Sequence, residues 1–126
     1  MAQARNATAA RPASAEPTLR VAAVQMVSAA NVSDNLARAE QLIGEAAAAG
    51  ARLVALPEHF ALLGRGERDK LSIREPDGAG PLQSFLSGQA AAHRIWLVGG
   101  TLPLASANPG KVLNSSLVYG PDGRRV

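Results

Sequence analysis

The chain has 126 residues, 47 % apolar and 18 % charged, which fits one small globular domain and excludes disorder throughout. Its formal charge is +3, from 13 Lys and Arg against 10 Asp and Glu, and the basic residues are scattered along the sequence. A nucleic-acid binder needs them clustered with stacking aromatics between, so no nucleic acid is expected as a partner. Without a cysteine the chain has no disulfide, no thiolate metal site and no cysteine nucleophile.

Two histidines, His59 and His93, stand too far apart in sequence to suggest a metal cage, and no metal or cofactor is expected. No apolar run approaches the roughly 18 residues of a membrane span, so the expectation is a soluble, cytoplasmic chain without a membrane partner. Twenty-six alanines and an aromatic content of 3 % predict a core of small aliphatic side chains.

Residues 1–18 are rich in Ala, Ser, Thr and Pro and lack apolar periodicity, so they read as a disordered tail. Their arginines faintly suggest a transit peptide, but an unstructured extension is the simpler reading. Order begins at Leu19. Arg20 to Val27 read as a buried strand in which Gln25 is the one polar side chain.

Ser33 or Asp34 then caps a helix running to about Ala49, with Leu36, Ala39, Leu42, Ile43, Ala46 and Ala47 on one stripe. Gly50 follows at the C′ position. A second strand from Arg52 to Leu56 ends at Pro57. This β-α-β pattern implies parallel strands joined by a right-handed crossover.

Residues 57–80 form a long connection rich in turn formers and charges. Pro81 opens the next helix, which turns Leu82, Phe85, Leu86 and Ala90 inward and fades near His93. Ile95 to Gly100 make a third strand, Val112 to Tyr119 a fourth, and Gly120 to Gly123 a hairpin turn. A return strand begins at Arg124 with only three residues left, so the sequence is expected to be cut short.

Glu58 is the candidate for chemistry. An apolar strand delivers it just beyond a carboxyl end, where open α/β sheets place their ligands. Pro57 removes a backbone N–H there and helps aim the carboxylate away from the ladder. Aliphatic neighbours would strip the carboxylate of water, a setting for general-base duty, although from local features alone a solvated loop glutamate or a cap for the following turn is the preferred reading. His59 is expected to point to the opposite side of an extended chain, and His93 to act as a helix-ending cation. Gly99-Gly100-Thr101 admits either a close backbone approach or a simple bend, with the bend the preferred reading.

Several segments together resemble the nitrilase, or carbon–nitrogen hydrolase, superfamily. They are VAAVQM at 21–26, DNLARAEQLI at 34–43, GARLVALPEHF at 50–60, GPLQSFL at 80–86, IWLVGGTLP at 95–103 and KVLNSSLVYGPDGRRV at 111–126. Their pattern is most like the family's small amidases of the omega-amidase and deaminated-glutathione amidase type. The resemblance implies an α/β fold, the N-terminal half of a four-layer α-β-β-α sandwich over residues 19–126. It also implies hydrolysis of a non-peptide C–N bond in a small amide or nitrile, by a protein that can form a homo-oligomer.

The family uses a Glu-Lys-Cys triad. By the resemblance Glu58 is the general base and Phe60 lines the substrate pocket. Lys111 lies in a turn and does not match the family's lysine, which follows the strand beginning at Arg124, with the cysteine later still. The chain alone is therefore expected to be inactive. The alternatives are a non-catalytic remnant or interaction module pairing through its open sheet edge, and an unrelated nucleotide-binding domain.

Overall fold

The structure is a computed structural model and describes residues 16–66 and 68–126. The expected tail lies outside the described residues except for positions 16–18, which are exposed and have no regular structure. In chain order the elements are β1 (Val21–Ala23), α1 (Val32–Ala48), β2 (Leu53–Ala55), α2 (Asp69–Ser72), α3 (Pro81–His93), β3 (Trp96–Val98), β4 (Leu102–Ala105), β5 (Val112–Ser115) and β6 (Val118–Tyr119). This is a mixed α/β fold.

One sheet has the order β1-β2-β3-β6, with β1, β2 and β3 parallel and β6 antiparallel to β3. The expected β-α-β unit is therefore present. Register places Ala22, Val54, Leu97 and Tyr119 in one row across the sheet. That face packs with Ala39 and Ile43 of α1 and Leu86 and Ala90 of α3 in a single core. The neighbouring row, Val21-Leu53-Trp96, points the other way, and Val21 and Trp96 stay 59 % and 42 % exposed. Alternation along each strand thus separates a helix-covered face from an open one.

The first strand is shorter than expected, although Val24 N–H still bonds Ala55 C=O at 2.8 Å. The cap of α1 is Asn31 rather than Ser33 or Asp34: its side-chain oxygen accepts from Asp34 N–H at 3.1 Å. Asn35, one turn on, faces inward and is buried. It exchanges two bonds with the Ala29 backbone, both 2.8 Å, and donates to Ala61 C=O at 2.9 Å. The helix face therefore carries a polar clamp where apolar periodicity alone shows only a stripe. At the other end Gly50, at φ +88°, turns the chain into β2.

Two expectations are corrected. Residues 57–80 are not a bare connection: they hold α2, and Glu75 bridges to Leu104. The segment from Val112 to Tyr119 is not one strand. Its first half pairs antiparallel with β4, an element not anticipated because Pro103 interrupts the strand pattern. Its second half crosses to the other sheet and pairs with β3. The two-stranded β4-β5 ribbon brings a second set of side chains to the end of β2.

Candidate functional site

The site begins where β2 ends. Leu56 N–H still bonds Val98 C=O at 2.9 Å, and Pro57 then ends the ladder. Gly100 lies directly against this corner with φ +56°, and a Cβ there would overlap the Pro57 carbonyl. The Gly99-Gly100 pair is thus a close backbone approach, where a simple bend was the preferred expectation. That approach carries Thr101 to the backbone of His59, whose N–H donates to Thr101 Oγ1 at 3.0 Å.

His59 adopts φ +54°, a left-handed conformation that costs a non-glycine residue about 1–2 kcal/mol. The chain is consequently not extended at this point, and the expectation that Glu58 and His59 diverge is corrected: His59 Nε2 lies 3.5 Å from Glu58 Oε1. The same ring nitrogen is 3.4 Å from Lys70 Nζ. The Glu58 side chain is 62 % exposed, so it faces solvent instead of sitting against aliphatic neighbours. Its Oε1 accepts from Asn114 Nδ2 at 2.9 Å across 56 positions of sequence.

Asn114 went unrecognised in the sequence. The available signal was a polar amide inside an otherwise strand-like run, Val112 to Tyr119. Its placement follows from β5 pairing, in which Asn114 lies opposite Pro103. Pro103 C=O accepts from Glu75 N–H at 3.1 Å, and Ala105 N–H donates to Glu75 C=O at 2.8 Å.

Glu75 is itself only 3 % exposed. Its carboxylate accepts from the N–H groups of Leu82 and Gln83 at the start of α3 and from Gln83 Nε2. A charged acceptor at a helix N-terminus satisfies donors that the helix cannot. The ribbon beneath Asn114 is thereby anchored to α3.

Phe60, expected to line the pocket, is fully enclosed at 0 % exposure and stacks on Phe85 with ring centroids 6.4 Å apart. It is part of the hydrophobic core. His93 closes α3 as expected, in its last turn.

Around Glu58 the surface is cationic. Arg68, Lys70 and Lys111 line an open cleft of ≈ 480 Å³ together with Asn114. A smaller neighbouring hollow shares Lys70 and adds His59 and Arg65. Both lysines of the chain thus meet in one cleft, although they are 41 positions apart by their numbers, 70 and 111. Another cleft, of ≈ 410 Å³, is lined by Gln83, Ser84, Ser87, Tyr119 and Arg125 and shares no residue with these two.

Residues 20–126 match the family model described as carbon-nitrogen hydrolase. The chain is 37 % identical over 106 residues to a deaminated glutathione amidase of Synechocystis, a match covering 83 % of this chain and 38 % of that protein. It is 39 % identical over 105 residues to omega-amidase NIT2 of Danio rerio, covering 82 % of this chain and 36 % of that protein. Among solved structures, Saccharomyces cerevisiae Nit3, a member of branch 10 of the nitrilase superfamily, superposes with a TM-score of 0.74 at 29 % identity. That superposition covers 85 % of this chain and 41 % of Nit3. The chain therefore spans well under half the length of these relatives.

Proposed function

The chain belongs to the carbon–nitrogen hydrolase family, and from that premise we propose that it contributes the general base of an amidase-type hydrolase acting on a small amide. Glu58 is that base. The single observation carrying the reading is its carboxylate at the carboxyl end of a parallel strand, with Oε1 held by Asn114 and the side chain open to solvent. A small nitrile is the other substrate that the resemblance implies.

In the proposed reaction a cysteine thiol gives its proton to Glu58 and the sulfur attacks the amide carbonyl carbon. A lysine ammonium stabilises the resulting oxyanion. The C–N bond then breaks, the leaving nitrogen takes the proton from Glu58, and a thioester remains. Water, losing a proton to the same carboxylate, attacks the thioester carbonyl; the C–S bond breaks, the sulfur takes that proton from Glu58, and the acid is freed.

These 126 residues contain no cysteine. By the resemblance Lys111 does not match the family's lysine, so the proposal takes both the nucleophile and the lysine from polypeptide outside these residues. Phe60 as a residue of the substrate pocket is part of the same proposal; within these residues its ring is buried against Phe85.

The test is ammonia release. The 126-residue chain is expected to release none from small amides, and the endogenous protein, isolated with an antibody to residues 34–60, is expected to exceed 12.9 kDa and to lose ammonia release on Glu58→Ala. An endogenous mass of 12.9 kDa would instead favour the non-catalytic module. A cytoplasmic location and homo-oligomer formation belong to the same proposal and are read by cell fractionation and light scattering. Among the described residues no helix is long and apolar enough to cross a membrane.

A further inference from the structure

We infer that Asn114 is the positioning residue of Glu58: its amide fixes Oε1 so that Oε2 is the oxygen presented for proton transfer. This rests on the reading of Glu58 as the base. Three observations carry it.

The first is the selection of donor. Among the described residues, two side chains approach the Glu58 carboxylate, Asn114 at 2.9 Å and His59 at 3.5 Å, and both approach Oε1. His59 Nε2 also lies 3.4 Å from the Lys70 ammonium, which can only donate. A nitrogen accepting from Lys70 has no proton to give Glu58. Asn114 is therefore the donor whose role does not depend on a tautomer.

The second is chemical fit. An amide N–H is a neutral donor, so it orients a carboxylate without placing a competing full charge on it. With Oε1 occupied, the lone pairs of Oε2 remain for a proton. Asn114 also lines the cleft of Arg68, Lys70 and Lys111.

The third is rigidity. A positioning group works only if its own support is fixed. Asn114 sits on β5, β5 pairs with β4, and β4 is tied on its other side to Glu75. The Glu75 carboxylate is in turn buried at the start of α3. Thr101, just before β4, holds the backbone of the residue after Glu58. Backbone and side chain of the Glu58 turn are thus clamped from the same ribbon.

The test uses the protein at the length found for the endogenous chain, expressed with ¹⁵N-labelled asparagine. The side-chain NH₂ pair of Asn114, assigned by its loss in Asn114→Ala, is followed through an acid titration and in Glu58→Gln. The expected result is that this pair shifts as carboxylates protonate and shifts again in Glu58→Gln, while the pairs of Asn35 and Asn108 stay in place. Asn35 is bonded to backbone carbonyls and Asn108 accepts from Gly110 N–H, so neither reports on Glu58.

An Asn114 pair that moves no more than those two, or that has the shifts of a free amide, overturns the inference. A merely structural asparagine would not sense the charge of Glu58. The readout involves no turnover, so failure of Glu58 as a base would show in ammonia release while leaving these shifts intact.

Discussion

His59 N–H and Thr101 Oγ1 are 3.0 Å apart, which joins the residue after the β2 corner to the residue before β4. This bond crosses from the parallel sheet to the β4-β5 ribbon. It explains why a histidine is held in a left-handed conformation at φ +54°. Strained backbone persists where surrounding contacts over-determine it, and such places cluster at functional sites.

Gly100 is the point of closest approach behind that bond. Gly100→Ala would combine an unfavourable φ of +56° with overlap on the Pro57 carbonyl. The expected cost is about 2–4 kcal/mol in urea unfolding. An unchanged midpoint would mean that the corner gives way easily.

Glu75→Ala removes a buried acceptor that serves two backbone N–H groups and one side-chain amide. Stranding these donors is expected to cost about 2–4 kcal/mol. Because Glu75 also braces β4, the Asn114 side-chain pair should lose its distinct shifts in the same variant, a second readout by NMR.

Glu58→Ala should leave stability within about 0.5 kcal/mol, since the side chain is 62 % exposed and makes one side-chain hydrogen bond. Thermal melts of the two proteins should overlay. A loss of ammonia release in the endogenous protein would then be assigned to chemistry rather than to unfolding.

Tyr119 is the only tyrosine, so its phenol can be titrated alone by ultraviolet absorbance. Burial pushes its pKa above the ordinary 10.0, with Arg125 opposing in lesser measure. A folded pKa above the unfolded one means that the neutral phenol favours the folded state. That contribution is complete below pH 10.0 and is lost as pH rises through the raised value. Phenolate absorbance should therefore appear above pH 10.0 in the folded chain, and Tyr119→Phe should blunt the alkaline loss of stability. Ionisation at the ordinary value would contradict the burial.

Asp77 and Arg125 form an exposed pair that holds the Asp77 carboxyl below its usual 3.8, chiefly through the side-chain hydrogen bond. The folded pKa is depressed, so the stabilising contribution is present above 3.8 and is lost as pH falls through the lower folded value. Arg125→Gln should therefore lower stability slightly above pH 3.8, by the little that an exposed pair contributes, and the two proteins should converge as pH falls below it. Thermal melts across the acid range check it.

The local readings that held were those with a local cause. The stripe from Leu36 to Ala47 folds as a helix because one face must be apolar, and Gly50 ends it because φ +88° suits a residue without Cβ. Pro57 ends β2 because it has no N–H to extend the ladder. The readings that failed lacked a local cause. Val112 to Tyr119 looks like one strand, yet its halves serve different sheets, and Leu102 to Ala105 is a strand despite Pro103 because that proline still accepts from Glu75. Phe60, two residues beyond Glu58, is buried in the core, which no short window of sequence states.

By itself the sequence determined the β-α-β unit, the open α/β class and the carboxylate at a strand's end, because apolar period and turn chemistry act between near neighbours. Only the tertiary structure decided what surrounds that carboxylate. Asn114 reaches Glu58 across 56 positions, and Arg65, Arg68, Lys70 and Lys111, scattered in the sequence, gather in clefts beside it. Those meetings depend on strand register and on the Gly100 contact that lays one sheet's end against the other, and neither is encoded in any short window of residues.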